Sequence, residues 1–119
     1  MTTCVCVIDG DPAVRDSLAT LMRISGHDVS TYSTGSAFLH ELAADELACV
    51  ICEAELPDTT GLAVFKALNE EHVSVPFALL VSHTDPVTLA AASKAGIQHV
   101  FYKPLVHRRL IAFVSGRGK

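Results

Sequence analysis

The sequence has no tryptophan, no long apolar run and few positive charges. Its longest apolar stretches, residues 47–52 and 77–81, are far shorter than the roughly 20 residues of a membrane-spanning helix. The first six residues carry no basic stretch, so they do not resemble a signal peptide. The net charge of −4 argues against a nucleic-acid-binding surface. We therefore expect a cytoplasmic protein that contacts neither a membrane nor nucleic acid directly.

The length and the apolar content predict one compact domain. The chain has 119 residues, of which 50% are hydrophobic, so one continuous core can be buried. We expect this domain to occupy residues 1–119, with residues 113–119 as a tail or as the start of a linker.

Four cysteines, in a C-x-C and a C-x-x-C pair, raise the possibility of a metal or redox site. Both pairs lie within apolar segments that favour strands. Side chains alternate along a strand, so Cys4 and Cys6 share a face while Cys49 and Cys52 point to opposite faces. Four sulfurs so placed would not surround one zinc ion, and we interpret these cysteines as small buried apolar residues. The six histidines show no i, i+4 pair and no ligand spacing.

Short apolar segments alternate with amphipathic segments along the whole chain. The predicted strands are residues 4–9, 27–32, 47–53, 76–82 and 97–103. Asp11-Pro12 and Asp85-Pro86 predict capped helix starts, and Thr34 predicts another cap. A last helix is predicted to carry Val106, Leu110 and Phe113 on one side. Five β–α units in series predict an α/β fold with a doubly wound parallel sheet.

Ligands of such sheets gather at the carboxyl ends of the strands, so the residues found there are the candidate site. The first strand is followed by acidic residues, the third ends on Glu53, and the fifth ends on Lys103. The candidate residues are Asp9, Gly10, Asp11, Glu53, Val81, Ser82 and Lys103.

Four motifs at these turns together resemble one family. They are VIDGDPAVR at residues 7–15, LP and GL at residues 56–57 and 61–62, KAG at residues 94–96, and KP at residues 103–104. The sequence resembles the receiver domains of two-component response regulators, most closely those that precede DNA-binding domains. The resemblance implies a CheY-like, flavodoxin-like (βα)5 fold with strand order 2-1-3-4-5.

The resemblance implies a role for each position at the candidate site. Asp9 and Lys103 match the acidic residue and the lysine of the family. Gly10 stands where the family has a magnesium-binding acid, and Glu53 stands at the phosphoacceptor aspartate. Val81 replaces the hydroxyl residue, and the usual aromatic coupled to that hydroxyl is also replaced. The positions that contact phosphate or switch on phosphorylation are therefore Val81, Ser82, Val100 and Lys103.

These departures have physical consequences. Loss of the acid at Gly10 weakens a Mg²⁺ site, because Mg²⁺ requires oxygen ligands in near-ideal octahedral geometry. The remaining set for a metal is Asp9, Asp11 and Glu53, although Asp11 is also expected to cap a helix. Glu53 is longer than aspartate, so we predict an ion pair with Lys103. Ser82 points away from the face of Val81 and does not replace the lost hydroxyl.

The leading hypothesis is a pseudo-receiver, which is not an enzyme, uses no cofactor and acts as a protein-interaction module without phosphotransfer. Its expected partners are a histidine kinase or an output domain. A homodimer through the fourth helix, fifth strand and fifth helix is also predicted, with Val100, Tyr102, Val106 and Leu110 near that surface.

Two alternatives remain. One is a phosphorylation-competent receiver that uses Glu53 or a rearranged Mg²⁺ site. The other is a flavin- or nucleotide-binding enzyme on the same fold, which the acidic, glycine-poor first turn disfavours.

Overall fold

The structure, a computed structural model, describes residues 4–82 and 85–116. The strands are β1 (Cys4–Ile8), β2 (Asp28–Tyr32), β3 (Leu47–Glu53), β4 (Phe77–Val81) and β5 (His99–Tyr102). The helices are α1 (Pro12–Ile24), α2 (Gly35–Glu41), α3 (Gly61–Glu70), α4 (Pro86–Ala95) and α5 (His107–Val114). A single 3₁₀ turn, Ala44–Glu46, precedes β3 within the described part of the chain.

The five strands form one parallel sheet in the order β2-β1-β3-β4-β5. This order confirms the predicted doubly wound architecture. Every residue of β4 is buried, as expected for an inner strand covered on both faces. Because all strands run in the same direction, their carboxyl ends meet at one edge of the sheet, where β1, β3 and β5 deliver Asp9, Glu53 and Lys103.

Side-chain caps fix the starts of four helices. The carboxylate of Asp11 accepts a hydrogen bond from Ala13 N, and Asp85 caps α4 in the same way. Thr34 and Thr60 supply hydroxyl caps for α2 and α3. The cap predictions for Asp11, Thr34 and Asp85 are confirmed.

The core lies in two clusters, one on each face of the sheet. Cys6 and Cys52 belong to the cluster that includes Phe38, and Cys49 belongs to the opposite cluster. The prediction that Cys49 and Cys52 point to opposite faces is therefore confirmed. Three of the cysteines are buried, whereas Cys4 is partly exposed. No helix in residues 4–82 and 85–116 has the length and apolar character to cross a bilayer.

The structure corrects several boundaries and burial predictions. Phe113 is buried and α5 continues to Val114, so a tail beginning at residue 113 is wrong. Leu110 is fully buried and does not lie near a surface, because it faces the sheet together with Phe113. Val106 is half-exposed because it precedes the first turn of α5. His83 and residues 117–119 lie outside the described residues.

Candidate functional site

Two carboxylates and one ammonium group converge at the carboxyl edge of the sheet. Lys103 Nζ lies 3.1 Å from Asp9 Oδ2 and 3.0 Å from Glu53 Oε2. Asp9 follows β1, Glu53 ends β3 and Lys103 follows β5, so three separate strands position the group. The predicted ion pair between Glu53 and Lys103 is present, and Asp9 extends it into a triad.

Asp9 is fully buried and held from several sides. Its Oδ1 accepts a hydrogen bond of 2.9 Å from Asp11 N, and its backbone carbonyl accepts one of 2.7 Å from Arg15 Nη1. Burial raises the pKa of the Asp9 carboxyl, while the Asp11 N–H and Lys103 act in the opposite direction. Arg15 was not identified from the sequence, because its contact is to backbone rather than to a charged side chain.

Glu53 has both carboxylate oxygens engaged. Oε2 accepts from Lys103, and Oε1 accepts a hydrogen bond of 3.2 Å from Gly10 N. Burial acts to lower the pKa of Lys103, but its hydrogen bonds to Glu53 and Asp9 outweigh burial and raise the pKa. The site therefore keeps Lys103 charged against two acidic side chains.

The loop after β3, residues 54–60, is fastened to the start of α2. Asp58 Oδ1 accepts from Gly35 N at 3.0 Å and Oδ2 accepts from Ser36 N at 2.9 Å. These bonds, chiefly the one from Ser36 N, lower the pKa of the Asp58 carboxyl. Sequence reasoning missed this contact, because nothing in a loop sequence tells which helix start an aspartate will reach.

A close approach of backbone fixes the other end of this loop. A Cβ added at Gly61 would lie 2.6 Å from the carbonyl oxygen of Glu53 and 2.6 Å from Leu79 Cδ1. Only glycine therefore allows α3 to begin so near the end of β3. This packing holds the backbone of Glu53 in place beneath its side chain.

The end of β4 is apolar where the neighbouring strand ends are charged. Val81 is buried and its carbonyl accepts a hydrogen bond of 2.9 Å from Lys103 N. Ser82 is exposed beyond the strand, and Val100 is partly buried against the core. An open cavity of about 300 Å³ lies beside Val81, between α3 and α4.

The comparisons with known proteins agree with this architecture. The family profile of the response regulator receiver domain matches residues 5–115. The chain belongs to the response-regulator receiver family. The receiver is 30% identical over 108 residues to the response regulator protein TodT of Pseudomonas putida, covering 91% of this chain and 48% of TodT. It is 32% identical over 108 residues to the transcriptional regulatory protein FixJ of Azorhizobium caulinodans, covering 91% and 51%.

Solved structures share the fold of this receiver. A receiver protein from Pseudoalteromonas atlantica superposes with a TM-score of 0.87 at 20% identity, covering 96% of this chain and 95% of that one. The response regulator StyR gives a TM-score of 0.88 at 26% identity, covering 98% of this chain and 59% of StyR. This receiver spans about half the length of the curated relatives.

The Mg²⁺ that the family implies does not fit the residues of this receiver. All four carboxylate oxygens of Asp9 and Glu53 accept hydrogen bonds from Lys103 or from backbone N–H groups. Asp11 Oδ1 caps α1 by accepting a hydrogen bond of 2.9 Å from Ala13 N, so one oxygen of the third residue in the predicted metal set of Asp9, Asp11 and Glu53 is already engaged. Across residues 4–82 and 85–116, no three His, Cys, Asp or Glu side chains are grouped to hold a metal.

Proposed function

We propose that this receiver domain signals without aspartyl phosphorylation, as a protein-interaction module held in one conformation. The observation that carries the proposal is the engagement of Glu53. The resemblance aligns Glu53 with the phosphoacceptor, and its two oxygens are bonded to Lys103 and Gly10 N. In the family this lysine pairs with the phosphoryl group. In this receiver the Glu53 carboxylate already occupies the ammonium group that would bind a phosphoryl group.

The charge and the position of Glu53 support a partial imitation of the phosphorylated state. A carboxylate carries one negative charge, whereas a phosphoryl group carries nearly two at neutral pH. Val81 offers no hydroxyl to a phosphoryl oxygen, and Val100 offers no aromatic ring to couple with it. The two positions that respond to phosphorylation in the family, here Val81 and Val100, are thus both replaced. This favours a domain with one fixed conformation over one that switches between two.

Phosphorylation at Glu53, the alternative, would require Lys103 to release the Glu53 carboxylate and bind the incoming phosphoryl group instead. An enzyme that binds flavin or nucleotide would need a phosphate cradle of free N–H groups. The N–H groups of Gly10 and Asp11 instead bond to Glu53 and Asp9. Receiver domains are in general signalling modules rather than enzymes, and we assign this one no catalytic role and no cofactor.

The proposed partners are proteins. Receiver domains of response regulators interact with histidine kinases and with output domains, and a cytoplasmic location fits both. One relative is named a DNA-binding response regulator, MtrA of Mycolicibacterium smegmatis, of which this chain covers 49%. The net charge of −4 favours protein rather than nucleic acid as the direct contact of this domain.

Treatment with acetyl phosphate and Mg²⁺ followed by intact mass spectrometry tests the proposal. We expect no gain of a phosphoryl unit by the natural sequence, with a phosphorylatable receiver run in parallel as the positive control. The triple variant Gly10→Asp, Glu53→Asp, Val81→Thr restores the family residues and shows whether these three positions suffice for acceptance. A phosphoryl unit gained by the natural sequence and lost in Glu53→Gln would refute the proposal.

A homodimer through α4, β5 and α5 is the proposed form of constant pairing. Val87 on α4, Tyr102 on β5 and Val106 just before α5 are large apolar residues that are 78%, 48% and 49% exposed. We expect the dimer fraction in sedimentation velocity to rise with concentration and to fall in Tyr102→Lys. The matched control is Ile24→Lys, because Ile24 is 79% exposed on α1, outside this surface. A monomer at every concentration, or an equal effect of both variants, contradicts the dimer surface.

A further inference from the structure

The cavity of about 300 Å³ between α3 and α4 has an apolar floor. Leu79 and Val81 line it, and they share one face of the sheet because they are two residues apart on β4. Both belong to the core cluster on that face, and both are buried. The cavity therefore offers an apolar surface to any molecule that enters it from solvent.

The space exists because α4 packs lightly on the sheet. Ala92 is the one buried residue among the ten of α4, whereas α1 and α3 bury three residues each. Ala91 lines the cavity from α4, and its short side chain fills little of the space. From the other side, Leu62 of α3 is partly buried against the core. A cavity of this size is at the lower end of those that hold small ligands, so its ligand is a small molecule.

The charged residues that line the cavity all have the same sign. They are Glu53, Glu55 and Asp85, and no lysine, arginine or histidine is among the described residues that line it. Glu53 is engaged with Lys103, and the carboxylate of Asp85 caps α4. Glu55 is exposed and lies in the loop between β3 and α3. The charge around the cavity therefore favours a cation, and Glu55 is the acidic residue best placed to pair with it.

We propose that this cavity binds a small organic cation, an amine or a guanidine with an apolar body. The apolar body packs on Leu79 and Val81 and supplies most of the affinity, because an ion pair with an exposed carboxylate contributes little. The pairing with Glu55 supplies the selectivity for positive charge. Binding is non-covalent. This inference goes beyond the proposed signalling function and does not depend on it.

Four small molecules separate the contribution of shape from that of charge. Phenethylamine is the probe, phenethyl alcohol has the same apolar body without the charge, phenylacetate has the opposite charge, and methylamine has the charge without the apolar body. Titrations of the full chain followed by amide NMR measure each affinity and locate the binding site. We expect phenethylamine to bind about fivefold more tightly than phenethyl alcohol, as one partly screened ion pair allows. Phenylacetate and methylamine should bind more weakly than both.

A matched pair of variants tests the charge. Glu55→Gln should weaken the binding of phenethylamine about fivefold and leave that of phenethyl alcohol unchanged. Glu70→Gln removes the same charge from an exposed residue of α3 that does not line the cavity, and it should leave both affinities unchanged.

A second pair tests the cavity itself. Ala91→Leu fills part of the space and should weaken the binding of phenethylamine and of phenethyl alcohol together. Ala90→Leu makes the same change at the neighbouring, exposed position of α4, which does not line the cavity, and it should leave both affinities unchanged.

Circular dichroism establishes that each variant is folded before its affinity is compared. If Ala91→Leu does not fold, Glu55→Gln decides the question, because Glu55 is exposed. Equal binding of phenethylamine and phenylacetate overturns the proposal, as does the absence of measurable binding of phenethylamine. Equal effects of the two members of either pair, or NMR shifts centred away from α3, α4 and the end of β4, also overturn it.

Discussion

Asp9 and Asp58 lie at the same edge of the sheet, both accept backbone N–H groups, and their pKa values move in opposite directions. Asp9 is buried, and its pKa is raised because desolvation outweighs the hydrogen bond from Asp11 N and the contact with Lys103. Asp58 is exposed, and hydrogen bonds from Ser36 N and Gly35 N lower its pKa. Hydrogen bonds from backbone N–H groups favour the charged form of a carboxyl, whereas removal of solvent disfavours it. Burial decides which of the two effects is larger at each aspartate.

The two aspartates consequently depend on their partners to different degrees. Asp9 has no access to water, so its charge depends on Lys103 for compensation. Asp58 is solvated in the folded and unfolded states, so its bonds to α2 add only a local fastening of the loop. Substitutions at the two places should therefore differ in size and in pH dependence.

Removal of Lys103 should have the largest effect, because it acts on the buried Asp9 and leaves the exposed Asp58 unchanged. Lys103→Met should destabilise the domain by about 3 kcal/mol, because Asp9 is left buried and uncompensated. Adding Glu53→Gln should recover part of the loss, with a coupling of about 1 kcal/mol between the two changes. Urea unfolding of the natural sequence, both single variants and the double variant measures the cycle.

A control variant and an expected pH dependence accompany this cycle. Lys94→Met removes an exposed lysine of α4 and should have little effect on the free energy of unfolding.

The raised pKa of Lys103 gives a pH dependence. The contribution of Lys103 to the stability of the fold is complete below the ordinary pKa of 10.5 and is lost as pH rises through the folded-state pKa. Strict additivity in the cycle would show that Glu53 and Lys103 do not stabilise each other.

A smaller effect is expected at Asp58. Its lowered pKa stabilises the fold above the ordinary value of 3.8, and this contribution is lost as pH falls through the folded-state pKa. Asp58→Asn should therefore lower the melting temperature slightly at neutral pH, and the difference from the natural sequence should vanish in acid. Thermal unfolding across this pH range measures it. Asp16→Asn, an exposed change on α1, is the control, and a difference independent of pH would contradict the assignment.

The fold was predictable because local signals agreed with the global pattern. Asp-Pro pairs marked the starts of α1 and α4, and uninterrupted apolar segments marked the inner strands β3 and β4. The 3₁₀ turn Ala44–Glu46 was not predicted, because three residues without apolar periodicity carry no such signal. The burial of Leu110 could have been predicted from its spacing of three residues from Phe113, which places both on one helix face.

The contacts of the candidate site could be predicted only where both residues lie at the ends of strands. The contact of Glu53 with Lys103 followed from strand order and side-chain length. The hydrogen bonds of Arg15 and Asp58 depend on turn and loop geometry, which spacing does not encode. The cap formed by Asp11 also depends on turn geometry, since the sequence allowed this residue to act either as a helix cap or as a metal ligand.

The triad also has a consequence for how fast the domain unfolds. Its two ion pairs join residues that are 94 and 50 positions apart in the chain. Contacts of such long range require a large loop to close, so we expect them to form late, once β1, β3 and β5 have docked. Interactions absent from the transition state act on the unfolding rate. We therefore expect the triad to slow unfolding more than it speeds folding, so Lys103→Met should raise the unfolding rate more than it lowers the folding rate.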